Sequence, residues 1–310
     1  MTDMTANAAL QGAPARRPKR RFDSKKLFAI ALLVVPALAL FSIFVLWPLI
    51  NAFIFSFYKW NGYGPITEFV GVENYDDVIT QRHFSTAIRN TIILSVVSLL
   101  IQLPLALWVA LALYQKAWFV SIFRTIFFVP YMLADVAAGL IWKFVYDGNY
   151  GLLPAVGDLT GTELPFVLAD RFWVIPAIGL VIVWKYFGFH MMIYIAGLQS
   201  IPNEVLEAAR LDGVSKWKIM WYVKIPMIRN SIVISVFFAI VGSLQLFDVI
   251  LPLTGGGPSN SSHTIVSFLY QFGILRMKIG FGGAVSVILF ILCVAVTLIY
   301  RRLLFTRDPA

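Results

Sequence analysis

Six stretches of this chain are apolar for long enough to cross a lipid bilayer, and too continuous to be strands. They cover residues 27–57, 86–114, 120–145, 172–198, 231–251 and 282–305. A crossing helix needs about 20 predominantly apolar residues, whereas a barrel strand shows about ten residues of alternating pattern. The runs therefore predict an all-α integral membrane protein with six transmembrane helices. Composition agrees, since 59% of the 310 residues are hydrophobic and 13% charged. Soluble domains carry about a quarter charged residues. The first run has a basic flank, as a signal peptide does. It is too long for one and no small-residue cleavage site follows, so it reads as a retained anchor.

The positions of Lys and Arg orient the spans. The tail, residues 1–26, contains APARRPKRRFDSKK and is expected in the cytoplasm. Six crossings return Arg301, Arg302 and Arg307 to the same side, so both termini are expected to be cytoplasmic. Residues 27–310 form the membrane domain. Segment 216–229 then lies inside, and the acid-rich segments 68–77 and 147–170 lie outside. Only the last outer loop, with Arg276 and Lys278, runs against this pattern. Pro36, Pro48, Pro104, Pro130 and Pro176 interrupt the spans, which suits a channel or transporter body better than an anchor. The net charge of +9 is concentrated at these flanks, so no nucleic-acid partner is expected.

Several classes of chemistry are disfavoured. The single cysteine, Cys293, excludes an intramolecular disulfide framework. His83, His190 and His263 are far apart in sequence, and no metal site is expected. No GxxxxGK[ST] phosphate loop occurs, so the chain supplies no nucleotide site of that kind. No cluster of Ser/His/Asp, Cys/His or paired carboxylates suggests a membrane enzyme.

One polar segment, residues about 199–230, separates the fourth and fifth spans and contains EAARLDGVSKWKIMWYVKIP from Glu207 onward. Ser200 is expected to cap a helix with Pro202 in its first turn. Residues 203–211 favour that helix, with Glu207 and Arg210 at i,i+3 spacing. Gly213 stands where a left-handed residue would close it. Ser215 can cap a second short helix through Trp217 and Trp221, expected to stop before Pro226. Both helices are too short to stand alone, so the elbow must pack against something. On pattern alone, a connector resting on its own protein or on lipid headgroups explains it at least as well as a docking site.

The residues themselves carry a resemblance. Glu207-Ala208-Ala209, then Asp212-Gly213, then Val223 and Ile225-Pro226 resemble the EAA signature of the inner-membrane permease subunits of bacterial ATP-binding-cassette importers. Val and Ile stand where the pattern commonly has Ile and Leu. FVGVENYDDVI at 69–79, Asn90-Thr91, and LTGGGPSNSSHTIVSFLY from Leu253 are similar to segments of the carbohydrate branch, the MalF-like or UgpA-like permeases. The extra N-terminal spans and large periplasmic insertion of the maltose type are absent. The resemblance implies the type I importer permease fold in a bacterial inner membrane. It also implies a second, MalG-like permease, a dimer of cytoplasmic ATP-binding subunits that hold ATP and Mg, and a periplasmic or extracellular sugar-binding protein. No cofactor is then expected in this chain. In that family the EAA elbow is a coupling helix that docks on the ATPase. The alternative is a self-sufficient channel or secondary transporter for small polar solutes.

Polar groups inside spans are costly and often functional. The fourth span holds Lys185, Tyr186, Phe189 and His190, and the fifth holds Ser243, Gln245 and Asp248. By resemblance the sugar path runs between these spans, where aromatic rings and amides suit a carbohydrate. Each residue also has a plainer reading. Asp248 could be solvated at the outer end of its span, Lys185 could bind a carbonyl, and His190 could be a packed histidine. Lys185 and His190 would also suit an anionic sugar derivative. By resemblance, the loop TGGGPSNSSHT is expected to be a periplasmic gate or a docking surface for the binding protein.

Overall fold

The computed structural model describes residues 24–115, 117–161 and 165–305. The tail at 1–23 and Arg307 lie outside the described residues. The chain divides into two units, Met1–Asn51 and Ala52–Ala310. Among the described residues there is no named strand, and one isolated bridge joins Tyr58 and Phe69.

The first unit holds helix α1 (Ser24–Phe41), a π-helical turn (Ser42–Leu46) and the start of α2 (Trp47–Phe55). Its side chains from Ile30 to Ile50 are all exposed. A helix that is apolar all round and exposed suits lipid or a partner chain rather than water.

The second unit is built around one long helix. A short α3 (Glu73–Thr80) precedes α4 (Arg82–Val97), a π turn (Ser98–Gln102) and α5 (Leu103–Leu113), which form one continuous rod. Next come α6 (Trp118–Met132), α7 (Asp135–Val145), α8 (Leu152–Thr160) and α9 (Val174–Gln199). The elbow comprises α10 (Asn203–Leu211), α11 (Lys216–Ile219), a π turn (Met220–Lys224) and α12 (Ile225–Met227). Finally come α13 (Arg229–Leu244), α14 (Ile250–Thr254), α15 (Ile265–Phe268) and α16 (Ile279–Phe305). Helix α9 packs on α5, α6 and α13. It is apolar on nearly every face and mostly buried, with Leu180 and Met192 left exposed, as suits a span that faces both protein and lipid. Close approach is enforced at Gly188, where a Cβ would stand 2.1 Å from the Phe127 carbonyl oxygen of α6.

Two expected spans are not single straight helices. The third breaks at Leu133 and Ala134, and α6 and α7 meet at 97°. Both residues are extended, and Leu133 N–H reaches back only to Pro130 O. The fifth ends as a helix at Leu244, and its remainder is a turn followed by α14. There the Thr264 hydroxyl donates to Leu246 O at 2.6 Å, taking a carbonyl that a continuing helix would use. Among the described residues, four helices are long and apolar enough to cross a membrane, or six if each bent pair counts as one crossing. The short apolar helix pair at Ile265–Ile274 was not anticipated from sequence.

Candidate functional site

The elbow is anchored on one side and open on the other. Leu206, Ile219 and Ile228 are buried in a core cluster with Ala106, Ala110 and Leu198. Gly213, at φ +70°, closes α10. Its N–H donates to Arg210 O, and Val214 N–H donates to Ala209 O at 3.1 Å. These are the two bonds of a Schellman cap, which only a left-handed residue completes without strain. Ser215 caps α11 by accepting from Lys218 N–H. Trp217 and Trp221 lie against Trp108 of α5, with ring centroids 6.0 and 6.4 Å away. Lys224 donates to the Tyr114 hydroxyl at 2.8 Å.

Two local expectations fail here. The Ser200 hydroxyl does not cap α10. It donates backward to Gly197 O at 2.8 Å and closes α9, while Pro202 occupies the N-cap. Pro226 does not stop the second helix, because a π turn precedes it and α12 runs through it. The chain turns two residues later at Ile228, where the arm Lys216–Met227 meets α13 at 66°. Among the described residues no ion pair joins Glu207 and Arg210. On the outer face, Glu207, Ala208 and Asp212 are exposed, as are Ile225's neighbours Pro226 and Met227. Leu211 is 88% and Tyr222 79% exposed.

A cavity of about 370 Å³ lies between α9, α13, the π turn of the α4–α5 rod, and the α6–α7 break. Tyr186, Phe189, His190, Ser243, Gln245 and Asp248 all line it. Phe189 stacks on Tyr131 at 4.8 Å and meets Phe238 edge-on at 5.7 Å, so several aromatic rings form one wall. Ser98, Gln102 and Ser243 supply hydroxyl and amide groups, with Ser243 Oγ donating to Ala239 O. His190 is 3% exposed, and its Nδ1 has no hydrogen-bond partner among the described residues.

Lys185 is the exception among the expected path residues. Its side chain is 1% exposed and stands behind the cavity wall. Its ammonium donates to Leu133 O at 2.6 Å and Pro130 O at 3.4 Å, and pairs with Asp135 Oδ1 at 2.8 Å. Three acceptors use all three donors of an ammonium. The position explains itself: the cation meets the carbonyl end of α6, and the carboxylate opens α7. Tyr186 completes the knot by donating to Asp135 Oδ2 at 3.0 Å.

At the far end of α13, the loop from Thr254 to Thr264 is folded inward rather than open. Asn90 donates to Ser261 O and His263 O at 2.7 and 2.9 Å. The Thr91 hydroxyl accepts from Ile265 N–H. Ser262, His263 and Thr264 are buried, and burial pushes the His263 imidazole down from 6.5 to about 4, with the charge of His83 adding to it.

Residues 102–307 match the family described as "Binding-protein-dependent transport system inner membrane component". The chain belongs to this family. The permease is 33% identical over 312 residues to the diacetylchitobiose uptake system permease protein NgcF of Streptomyces coelicolor, covering 96% of this chain and 86% of that one. It is 33% identical over 284 residues to the lactose transport system permease protein LacF of Rhizobium radiobacter, covering 89% and 93%. A bacterial ABC transporter involved in the import of the acidic polysaccharide alginate shares the fold, with a TM-score of 0.81 at 20% identity. That match covers 92% of the permease and 98% of the other chain. The protein is thus a multi-pass membrane permease subunit of a carbohydrate-type ABC importer.

The expected residues Tyr186, Phe189 and His190 on α9, and Ser243, Gln245 and Asp248 at and just past the end of α13, line the permease's cavity, while Phe238 of α13 and the residues of the other walls were not expected. Ser98 and Gln102 are polar groups within a span, and Asp135 is an acid within an apolar run. Each carried the same signal that singled out Ser243, Gln245 and Asp248. Tyr131, Phe238 and Phe247 carried none, because an aromatic residue in a membrane helix is ordinary.

Proposed function

We propose that this chain is one of two permeases that together form the translocation path of a carbohydrate importer in a bacterial inner membrane. Six crossings with both termini in the cytoplasm, the bent pairs counting as one each, fit this reading. The cavity between α9 and α13 is this subunit's half of the path, and its aromatic wall and amide groups suit sugar rings and hydroxyls. The second half comes from a MalG-like permease, and a periplasmic or extracellular binding protein delivers the cargo. A separate pair of ATPase subunits holds ATP and Mg and drives the cycle through the elbow.

One observation carries the coupling role. The elbow's inner face is committed to its own protein, while its outer face presents Leu211 almost bare beside Glu207, which has no ion pair among the described residues. An aliphatic tip ringed by polar groups suits insertion into a partner's cleft. Ala208 is small enough for close backbone approach. Glu207→Ala and Gly213→Pro are the test, in the reconstituted importer with insertion checked separately. Both should lower coupled uptake at least tenfold while the chain still inserts, the second because proline can neither adopt φ +70° nor donate to Arg210 O. Uptake at the normal rate in either variant would remove the coupling role.

A further inference from the structure

The cavity's charge bears on its cargo. Its lining contains two carboxylates, Asp135 and Asp248, and no Lys or Arg. Asp135 is neutralised by Lys185, whose three donors are already taken. Asp248 is exposed to the cavity and has neither an ion pair nor a hydrogen bond among the described residues. The site therefore carries one uncompensated negative charge facing aromatic rings, two glutamines and the unpartnered His190 Nδ1. Such a set offers acceptors to hydroxyl groups and faces to apolar sugar surfaces, and repels anions.

We infer that this half of the path takes an uncharged carbohydrate, with Asp248 accepting from its hydroxyls, and excludes sugars that carry a carboxylate or phosphate. The inference rests on the reading of the cavity as part of the translocation path. It reverses the expectation that Lys185 suits an anionic cargo, because that cation serves the helix break.

The potential inside the cavity can be measured without knowing the cargo. A chain with Cys293→Ser and Gln245→Cys is assembled with its partner permease and ATPase. Its thiol is titrated with cationic trimethylammonium-ethyl and anionic sulfonatoethyl methanethiosulfonate, each rate being divided by that reagent's rate with a free thiol. The cationic reagent should be favoured at least tenfold, and adding Asp248→Asn should bring the ratio within threefold of unity. An anionic reagent that reacts as fast as the cationic one overturns the inference. The path reading is tested apart from this, by comparing labelling before and after vanadate trapping of the ATPase. A rate that ignores the trap removes the cavity from the path, whatever its charge preference. Uptake by the complete importer gives the last arm: transport of a carboxylated or phosphorylated sugar overturns the inference, and a cargo of uncharged sugars supports it.

Discussion

Lys185 shows how a buried charge is read from its neighbours rather than from its type. Within an apolar run a lysine reads as a ligand for cargo. The cation instead joins the two halves of a broken helix, and its counter-charge comes from Asp135, distant in sequence but 2.8 Å away. Removing one partner of a fully buried pair costs about 3–5 kcal/mol, and Asp135 is 37% exposed, so Lys185→Met should cost about 2–3 kcal/mol. Thermal unfolding of the purified protein in detergent measures this. The double variant Lys185→Met with Asp135→Asn should regain at least half of the loss. A single variant as stable as the wild type would show that the pair does not hold the break.

At the level of elements, three prolines sit inside rods that do not break. Pro48, Pro104 and Pro226 each stand two residues after a five-residue π turn, Ser42–Leu46, Ser98–Gln102 and Met220–Lys224. A helical proline collides with the carbonyl four residues back. Here those carbonyls belong to Phe44, Leu100 and Tyr222, each the middle residue of its π turn. The wider turn moves that carbonyl out of the ring's way, so the rod continues. The Ser98–Gln102 turn also places two polar side chains in the cavity, as π turns at functional sites do. The inward-folded loop makes a different prediction. His263 titrates near 4 in the folded protein and near 6.5 when unfolded, so the unfolded state binds more protons between those values. Stability should therefore fall as pH drops from about 6.5 to 4, by on the order of 2–3 kcal/mol from this group. Thermal unfolding at pH 7.5 and 4.5 should show a smaller acid loss for His263→Asn. An equal loss in both proteins would assign the acid sensitivity elsewhere.

For the molecule as a whole, one chain carries a cavity lined from four elements and an elbow whose outer face is bare. The elbow prediction is an assembly measurement. Leu211→Asp should reduce co-purification of the ATPase subunits at least tenfold while the detergent-solubilised chain keeps its melting temperature, since Leu211 touches little of its own protein. Undiminished co-purification would place the docking surface elsewhere.

Much of this was legible in the sequence, and the reason is local. Length and continuity of apolar runs fix which segments can cross a bilayer. Left-handed and capping positions such as Gly213 and Ser215 depend on residues a few places away. The elbow's Schellman cap could be read from DGVS alone. What tertiary structure decided are features that depend on distant partners. The bend in the third span appears once Lys185 meets Leu133 and Asp135, and the end of the fifth span as a helix goes with Thr264 holding Leu246 O. The loop near His263 folds inward around Asn90 and Thr91. The cavity's charge belongs with these, because a charge is settled by what stands within a few ångströms of it, and no spacing along the chain records that distance.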